Sequence, residues 1–217
     1  MNLKGVIIVI TGAAGGLGKE LAIQCKAVGA VVIISDKDEA KLYAAAEELG
    51  VRGIVADVTN ENSIAVLAKT VHSDYGRIDI WINNAGIWLP HAGIEALDTA
   101  RMQKVFAVNT FGTIYGSRDA FIIMSEQGKG TIINISSVSG LEPHFNSAVY
   151  CASKYAVTGF TKALRLEAAP LGVQVLGVYP DKMKTALFDE QPPADYDTYL
   201  SPMFVADMII KNLQKTE

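Results

Sequence analysis

Six short apolar runs alternate with helix-forming stretches along this chain, and that rhythm leaves few folds open. Residues 6–11, 31–35, 53–56, 78–83, 131–137 and 174–179 read as strands. Residues 16–28, 38–49, 61–75, 97–126, 149–169 and 203–213 read as helices. A continuous run such as Val6-Ile7-Ile8-Val9-Ile10 suits a strand covered on both faces. Strict β-α alternation implies an α/β fold with a doubly wound parallel sheet and right-handed crossovers. Ligands in such sheets bind beyond the carboxyl ends of the strands. Gly12, Asp36, Asp57, Asn83, Ser137 and Pro180 fall at those ends. A length of 217 residues, half of them hydrophobic, suits one domain over residues 1–217 with a sizeable core. The one loop-rich stretch, residues 181–201 with Pro192 and Pro193, reads as a short substrate loop, either a mobile lid or a plain connection.

Several function classes drop out. Net charge is −4 with no basic stripe, which argues against a nucleic-acid partner. Cys25 and Cys151 lie far apart, which is no disulfide framework and points to a reducing, cytoplasmic location. His72, His91 and His144 are scattered, so no metal site is expected. The first ten residues lack the long apolar segment and cleavage site of a signal peptide. No stretch stays free of charge and glycine for ~20 residues, so no membrane association is expected.

The first strand runs into Thr11-Gly12-Ala13-Ala14-Gly15-Gly16-Leu17-Gly18 and then a helix. Glycines there permit a tight turn and close approach of backbone to a pyrophosphate at a helix N-terminus. The spacing is TGxxxGxG rather than GxGxxG. Asp36 ends the second strand, where a carboxylate can accept hydrogen bonds from adenosine ribose hydroxyls and repel a 2′-phosphate. That favours NAD(H); Lys37 beside it leaves NADP(H) open. A helix cap is the plain alternative for Asp36. Asp57-Val58 ends the third strand, where an adenine edge would lie, or where Asp57 opens a helix. Asn83-Asn84-Ala85-Gly86 ends the fourth, with small residues beside a ribose or in an ordinary turn.

Tyr150 and Lys154 stand four apart in an expected helix, on one face. An ammonium near a phenol favours the phenolate and lowers the phenol pKa from ~10. A phenol tuned toward neutrality is a general acid for a carbonyl oxygen. Alone, the pair also fits a half-buried Tyr beside a solvated Lys.

Taken together, these motifs resemble the short-chain dehydrogenase/reductase family, over nearly the whole chain to about Thr185. The resemblance rests on the Thr11–Gly18 turn, Asn83-Asn84-Ala85-Gly86, Asn109, Ile135-Ser136-Ser137 and Tyr150-x-x-x-Lys154. It implies a Rossmann fold of six or seven strands and a nicotinamide cofactor. Gly12, Gly15, Gly16, Leu17, Gly18, Asp36, Asp57, Val58, Asn84, Ala85, Gly86, Tyr150, Lys154, Pro180, Met183 and Thr185 would hold that cofactor. It also implies Tyr150 as acid/base, Ser137 (with Ser136 the other candidate) holding the substrate oxygen, and Lys154 lowering the Tyr150 pKa. Asn109 would position a proton-relaying water, or simply bond backbone at a helix kink.

Two departures stand out. Pro180-Asp181 replaces the family's Pro-Gly, and only one helix follows the loop before Glu217. The second favours a homodimer through the long helices over a tetramer. Trp88, Leu89, His91, Ser139, Leu141, His144, Phe145, Tyr179, Met183, Leu187 and Phe188 flank the catalytic set. That mostly apolar mix suits a small, uncharged alcohol or carbonyl compound. Cys151 reads as a small packed thiol, not a nucleophile. The competing readings are a catalytically weak NAD(P)-binding sensor or scaffold, and an NADPH-dependent 3-oxoacyl thioester reductase.

Overall fold

The structure, a computed structural model, describes residues 1–188 and 192–215. At its centre lies a parallel sheet of six strands: β1 Ile7–Thr11, β2 Val31–Asp36, β3 Arg52–Val55, β4 Ile80–Asn83, β5 Gly130–Ile135 and β6 Val173–Val178. The order is β3-β2-β1-β4-β5-β6, so the winding reverses between β1 and β4 and opens a crevice there. Seven α-helices are described: α1 Gly16–Ala27, α2 Glu39–Leu49, α3 Glu61–Tyr75, α4 Thr99–Val105, α5 Gly112–Gln127, α6 Ala148–Ala168 and α7 Pro202–Lys215. This is the doubly wound α/β architecture expected from the sequence. Among the described residues the sheet has no seventh strand.

Strand alternation divides the core in two. Ile8 and Ile10 of β1 pack with Leu17 and Leu21 of α1, Leu42 of α2 and Ile209 of α7. Ile7 and Val9 point the other way, to Leu67 and Val71 of α3, Met124 of α5 and Leu164 of α6.

Most boundaries fall within one or two residues of the sequence expectation, and three differences have identifiable causes. β4 starts at Ile80: the Ile78 backbone is taken by Gln127, while Asp79 still bonds Ile7 O (3.0 Å) and Thr131 N (2.9 Å) through its own backbone. Gln127 brackets the Ile78 backbone at 3.0 and 2.9 Å, and Asp79 accepts from Ile7 N at 2.8 Å. β5 ends at Ile135, and Ser137 instead begins a 3-10 turn, Val138–Gly140. The expected helix 97–126 is not one helix. Asp98 caps α4 by accepting from Arg101 N at 3.1 Å, and a π-helical segment, Phe106–Phe111, separates α4 from α5. Such π turns are single-turn interruptions that free backbone and re-aim side chains.

Behind the carboxyl ends of β4 and β5 lies a buried polar network. Asn83 and Asn134 are partners in register. Asn83 Nδ2 donates to Asn134 Oδ1 (2.8 Å) and Ser117 Oγ (2.9 Å), and Trp81 Nε1 donates to Asn83 Oδ1 (2.8 Å). Asn134 Nδ2 donates to Thr161 Oγ1 at 2.9 Å. Ser117 is on α5 and Thr161 on α6, so the network ties both helices to the sheet. A Cβ on Gly116 would overlap Asn83 Oδ1, which explains glycine at that point of α5.

Candidate active site

The β1–α1 turn is shaped by contact with the end of β4. Gly12 and Gly16 have φ of 63° and 54°, a region that favours glycine. A Cβ on Gly12 would lie 2.6 Å from Ala85 Cα, and one on Gly18 would lie 2.5 Å from Asn84 Nδ2. Asn84 Nδ2 donates to Thr11 O and Gly12 O at 2.9 Å each, and Thr11 Oγ1 accepts from Asn84 N at 3.1 Å. Asn84 thus holds the turn together. Gly15 caps α1 without a side chain and faces open space, leaving the first amides of α1 accessible to an anion. Thr185 lies against Gly16, with Cγ2 3.5 Å from where a Cβ would stand.

Asp36 sits at the mouth of the same cleft. Its Oδ2 accepts from Ala14 N (3.3 Å) and its Oδ1 from Asp38 N (3.1 Å), which orients the carboxylate. The helix cap is Asp38, which accepts from Lys41 N, so Asp36 is not needed as one. Asp57 likewise is not the cap of α3; Asn60 is. Asp57 Oδ1 instead accepts from Thr59 N (2.9 Å) and Thr59 Oγ1 (2.8 Å). Val58 packs beneath Gly112, where a Cβ would stand 2.9 Å away.

α6 carries Tyr150 and Lys154 into the cleft, 9% and 6% exposed. Lys154 Nζ lies 6.0 Å from the centre of the Tyr150 ring and donates to Ile135 O at 3.2 Å. Burial pulls the Lys154 ammonium down to about 8. Burial pushes the Tyr150 phenol up to about 12, opposed by its hydrogen bond with Ser137. The expected lowering of the phenol is therefore corrected: burial raises it, and the opposing influence is Ser137 rather than Lys154. Ser137 Oγ also accepts from Ser139 N at 3.1 Å, and Val138 N donates to Pro180 O at 3.0 Å, joining the serine turn to the end of β6. Ser136 is engaged inward, donating to Lys154 O at 3.2 Å, so Ser137 is the serine whose hydroxyl acts on the Tyr150 phenol.

Asn109 lies in the π segment and is 1% exposed. Its side chain accepts from Ile87 N (2.8 Å) and donates to Ile87 O (2.9 Å) and Ser153 Oγ (3.2 Å). Its carbonyl accepts from Thr113 Oγ1 at 2.8 Å. The backbone-bonding reading of Asn109 thus describes its geometry. A Cβ on Gly86 would stand 3.4 Å from Asn109 Oδ1 and 3.7 Å from Lys154 Nζ, so Gly86 fills the space between them.

These groups line one cleft of about 600 Å³ running from Asp36 to the loop after β6. All sixteen residues expected at the cofactor, together with Ser137, contribute to it except Gly18, which is buried behind the turn; Asn109 also lies outside it. Of the expected substrate-side residues, Trp88, His91, Ser139, His144, Met183, Leu187 and Phe188 line it. Leu89 is buried beneath, Phe145 is 89% exposed, and Tyr179 packs over Gly177. Asp181 is exposed at the rim, its carboxylate accepting from Lys182 N at 2.8 Å. Cys151 is buried. The loop expected at the substrate, residues 181–201, contains two 3-10 turns, Ala186–Phe188 and Tyr196–Thr198, while residues 189–191 of it and residues 216–217 lie outside the described residues. Sequence reading missed Ser147 and Tyr199, which also line the cleft. No spacing marks either one. Among the described residues, no group of three or more His, Cys, Asp or Glu side chains could hold a metal, and no helix is long and apolar enough to cross a membrane.

The profile of the short chain dehydrogenase family matches residues 6–195. The chain belongs to that family. It is accordingly an oxidoreductase of the short-chain dehydrogenase type. It is 33% identical over 211 residues to an uncharacterized oxidoreductase of Staphylococcus aureus (strain N315), covering 96% of this chain and 90% of the relative. It is 37% identical over 195 residues to uncharacterized oxidoreductase YxjF of Bacillus subtilis (strain 168), covering 87% of this chain and 75% of the relative. Among solved structures, 3-ketoacyl-(acyl-carrier-protein) reductase from Brucella melitensis complexed with NADH superposes with a TM-score of 0.90 at 28% identity, covering 96% of this chain and 90% of that one. A short chain dehydrogenase/reductase from Burkholderia phymatum in complex with NAD gives 0.91 at 25% identity, covering 99% and 88%.

Asn109 clamps the Ile87 backbone through buried hydrogen bonds, so Asn109→Ala is expected to lower the free energy of unfolding by about 1–3 kcal/mol in urea. An unchanged unfolding midpoint would show that the clamp carries no weight.

Proposed function

We propose that this oxidoreductase transfers a hydride between NAD(H) and a small, mostly uncharged alcohol or ketone, with Tyr150 as its general acid/base. The observation that carries this reading is that Tyr150, Ser137 and Lys154 line one cleft together with the glycine turn and Asp36, with Lys154 Nζ 6.0 Å from the Tyr150 ring centre. A dinucleotide fits that cleft on its own terms: open backbone at Gly15, left-handed glycine at Gly16 and an oriented carboxylate at Asp36. When bound, the nicotinamide supplies the hydride chemistry.

The chain supplies the rest. Tyr150, with its phenol pushed up to about 12, is a neutral proton donor at physiological pH. Its proton would go to the carbonyl oxygen. Ser137, which lines the cleft with Tyr150, would hold the same oxygen and share its developing charge. Lys154, still protonated below about 8, would steady the phenolate left behind. Asn109 serves in this scheme by positioning Ile87 and Gly86 beside Lys154. These protonation states favour carbonyl reduction near neutrality.

NAD(H) is favoured over NADP(H) because Asp36 would face a 2′-phosphate with a carboxylate held in place by Ala14 and Asp38. Reduction of 3-oxoacyl thioesters is a second reading, supported by the likeness to the Brucella melitensis 3-ketoacyl reductase. A homodimer through α5 and α6 is the proposed assembly, supported by exposed Phe111, Ile122 and Leu166 beside and on these helices. A cytoplasmic location is supported by two buried, unpaired thiols.

Tyr150→Phe is expected to cut carbonyl reduction by about 10²–10⁴-fold while NADH still binds, followed by absorbance and by fluorescence titration. Retained turnover would sink the reading. Asp36→Ala is expected to raise the NADP(H)-to-NAD(H) ratio of kcat/KM by about fivefold, since removing one like charge is worth about 1 kcal/mol. An unchanged ratio would remove Asp36 from cofactor choice.

A further inference from the structure

The far end of the cleft carries information on substrate shape. The loop after β6 folds back on itself: Met183 and Leu200 form a parallel bridge, with Lys184 N donating to Leu200 O (2.8 Å) and Leu200 N to Lys182 O (2.9 Å). Rings fill its interior. Tyr199 is 8% exposed and donates to Asp195 Oδ1 at 3.1 Å. Asp195 Oδ2 accepts from Lys182 Nζ at 2.9 Å, and that ammonium lies 5.2 Å from the Tyr199 ring centre. Phe188 packs edge-on against Tyr199 at 5.4 Å.

Phe188 also reaches out of the loop. Its ring centre is 4.9 Å from that of Trp88, in the segment after β4. Trp88 meets His91 edge-on at 5.4 Å, and His91 Nδ1 is 2.6 Å from Ser147 Oγ. Ser147 is buried immediately before α6, three residues from Tyr150. An unbroken file of side chains therefore runs from the start of the Tyr150 helix to Tyr199. Every member lines the cleft that holds Tyr150 and Ser137.

Such a wall has chemical preferences. Aromatic rings in edge and tilted contact present rigid flat surfaces, and rigid ring-shaped ligands gain against them what flexible chains lose in ordering their rotors. Lys182, the cation on this side, is already paired with Asp195, so it is poorly placed to draw in an anionic tail.

We propose that the Trp88–Phe188–Tyr199 wall makes this site select carbonyl compounds whose reacting group is in or on a ring, over open-chain ketones of equal carbon number. The proposal rests on the oxidoreductase reading above for the fate of the carbonyl, but not for binding. The chain has two tryptophans. Trp81 is wholly buried and bonded to Asn83, whereas Trp88 lines the cleft. Emission changes on adding a ketone thus report cleft occupancy through Trp88, without turnover.

The test titrates the full chain with cyclohexanone and with 2-hexanone by saturable tryptophan quenching, and assays both ketones with NADH. Cyclohexanone is expected to bind about tenfold tighter and to show a kcat/KM about tenfold higher, as the cost of ordering the rotors of 2-hexanone allows. Phe188→Leu and Trp88→Leu are expected to bring the kcat/KM ratio close to one. Equal or weaker binding of cyclohexanone, or a ratio untouched by both substitutions, overturns the proposal. Tight, saturable cyclohexanone binding without reduction of either ketone supports the ring-selective wall while counting against the oxidoreductase reading for ketones, so the two fail separately.

Discussion

Two asparagine side chains, Asn83 and Asn134, hold the geometry on which the site depends. They stand side by side at the ends of adjacent parallel strands, fully shielded from water. A buried amide left without partners is costly, so each must find its hydrogen bonds within the fold. They find them in each other, in Ser117 on α5 and in Thr161 on α6. Satisfying them sets where those two helices sit against the sheet. Asn109 lies just before α5, and Tyr150 and Lys154 ride on α6. The bond between Asn109 and Ser153 then joins the two helices a second time, beside Lys154.

Desolvation decides the electrostatics of that site. Charge pairing alone would lower the Tyr150 phenol and raise the Lys154 ammonium. Burial acts on both in the opposite sense, because each charged form has lost its water. The phenol keeps its proton up to about 12, whereas the ammonium loses its charge near 8. That division of labour suits a site that donates a proton from tyrosine and keeps a positive charge nearby to receive the phenolate.

Much of this was legible in the sequence because it depends on short-range rules. The six strands, their parallel doubly wound arrangement and the glycine turn follow from apolar runs, β-α alternation and glycine placement. Gly12 and Gly18 prove necessary for contact with Ala85 and Asn84, which spacing alone could not reveal. What spacing missed was long-range. Gln127 cutting β4 short, Asn109 clamping Ile87, and Tyr199 filling the loop after β6 all depend on partners distant in the chain. The Tyr150 expectation went wrong in sign because a helical spacing conveys proximity but not burial.

In the proposed reaction, burial keeps Tyr150 protonated as the acid and leaves Lys154 as the group that titrates. The direct test is the pH dependence of kcat/KM for the reduced cofactor in carbonyl reduction, which reports ionisations of the free enzyme. Lys154 loses its charge as pH rises through about 8, while Tyr150 keeps its proton until about 12. The profile is therefore expected to be level from pH 6 to about 7.5 and to fall above about 8. A profile that stays level to pH 10, or that rises above 8, would contradict the account.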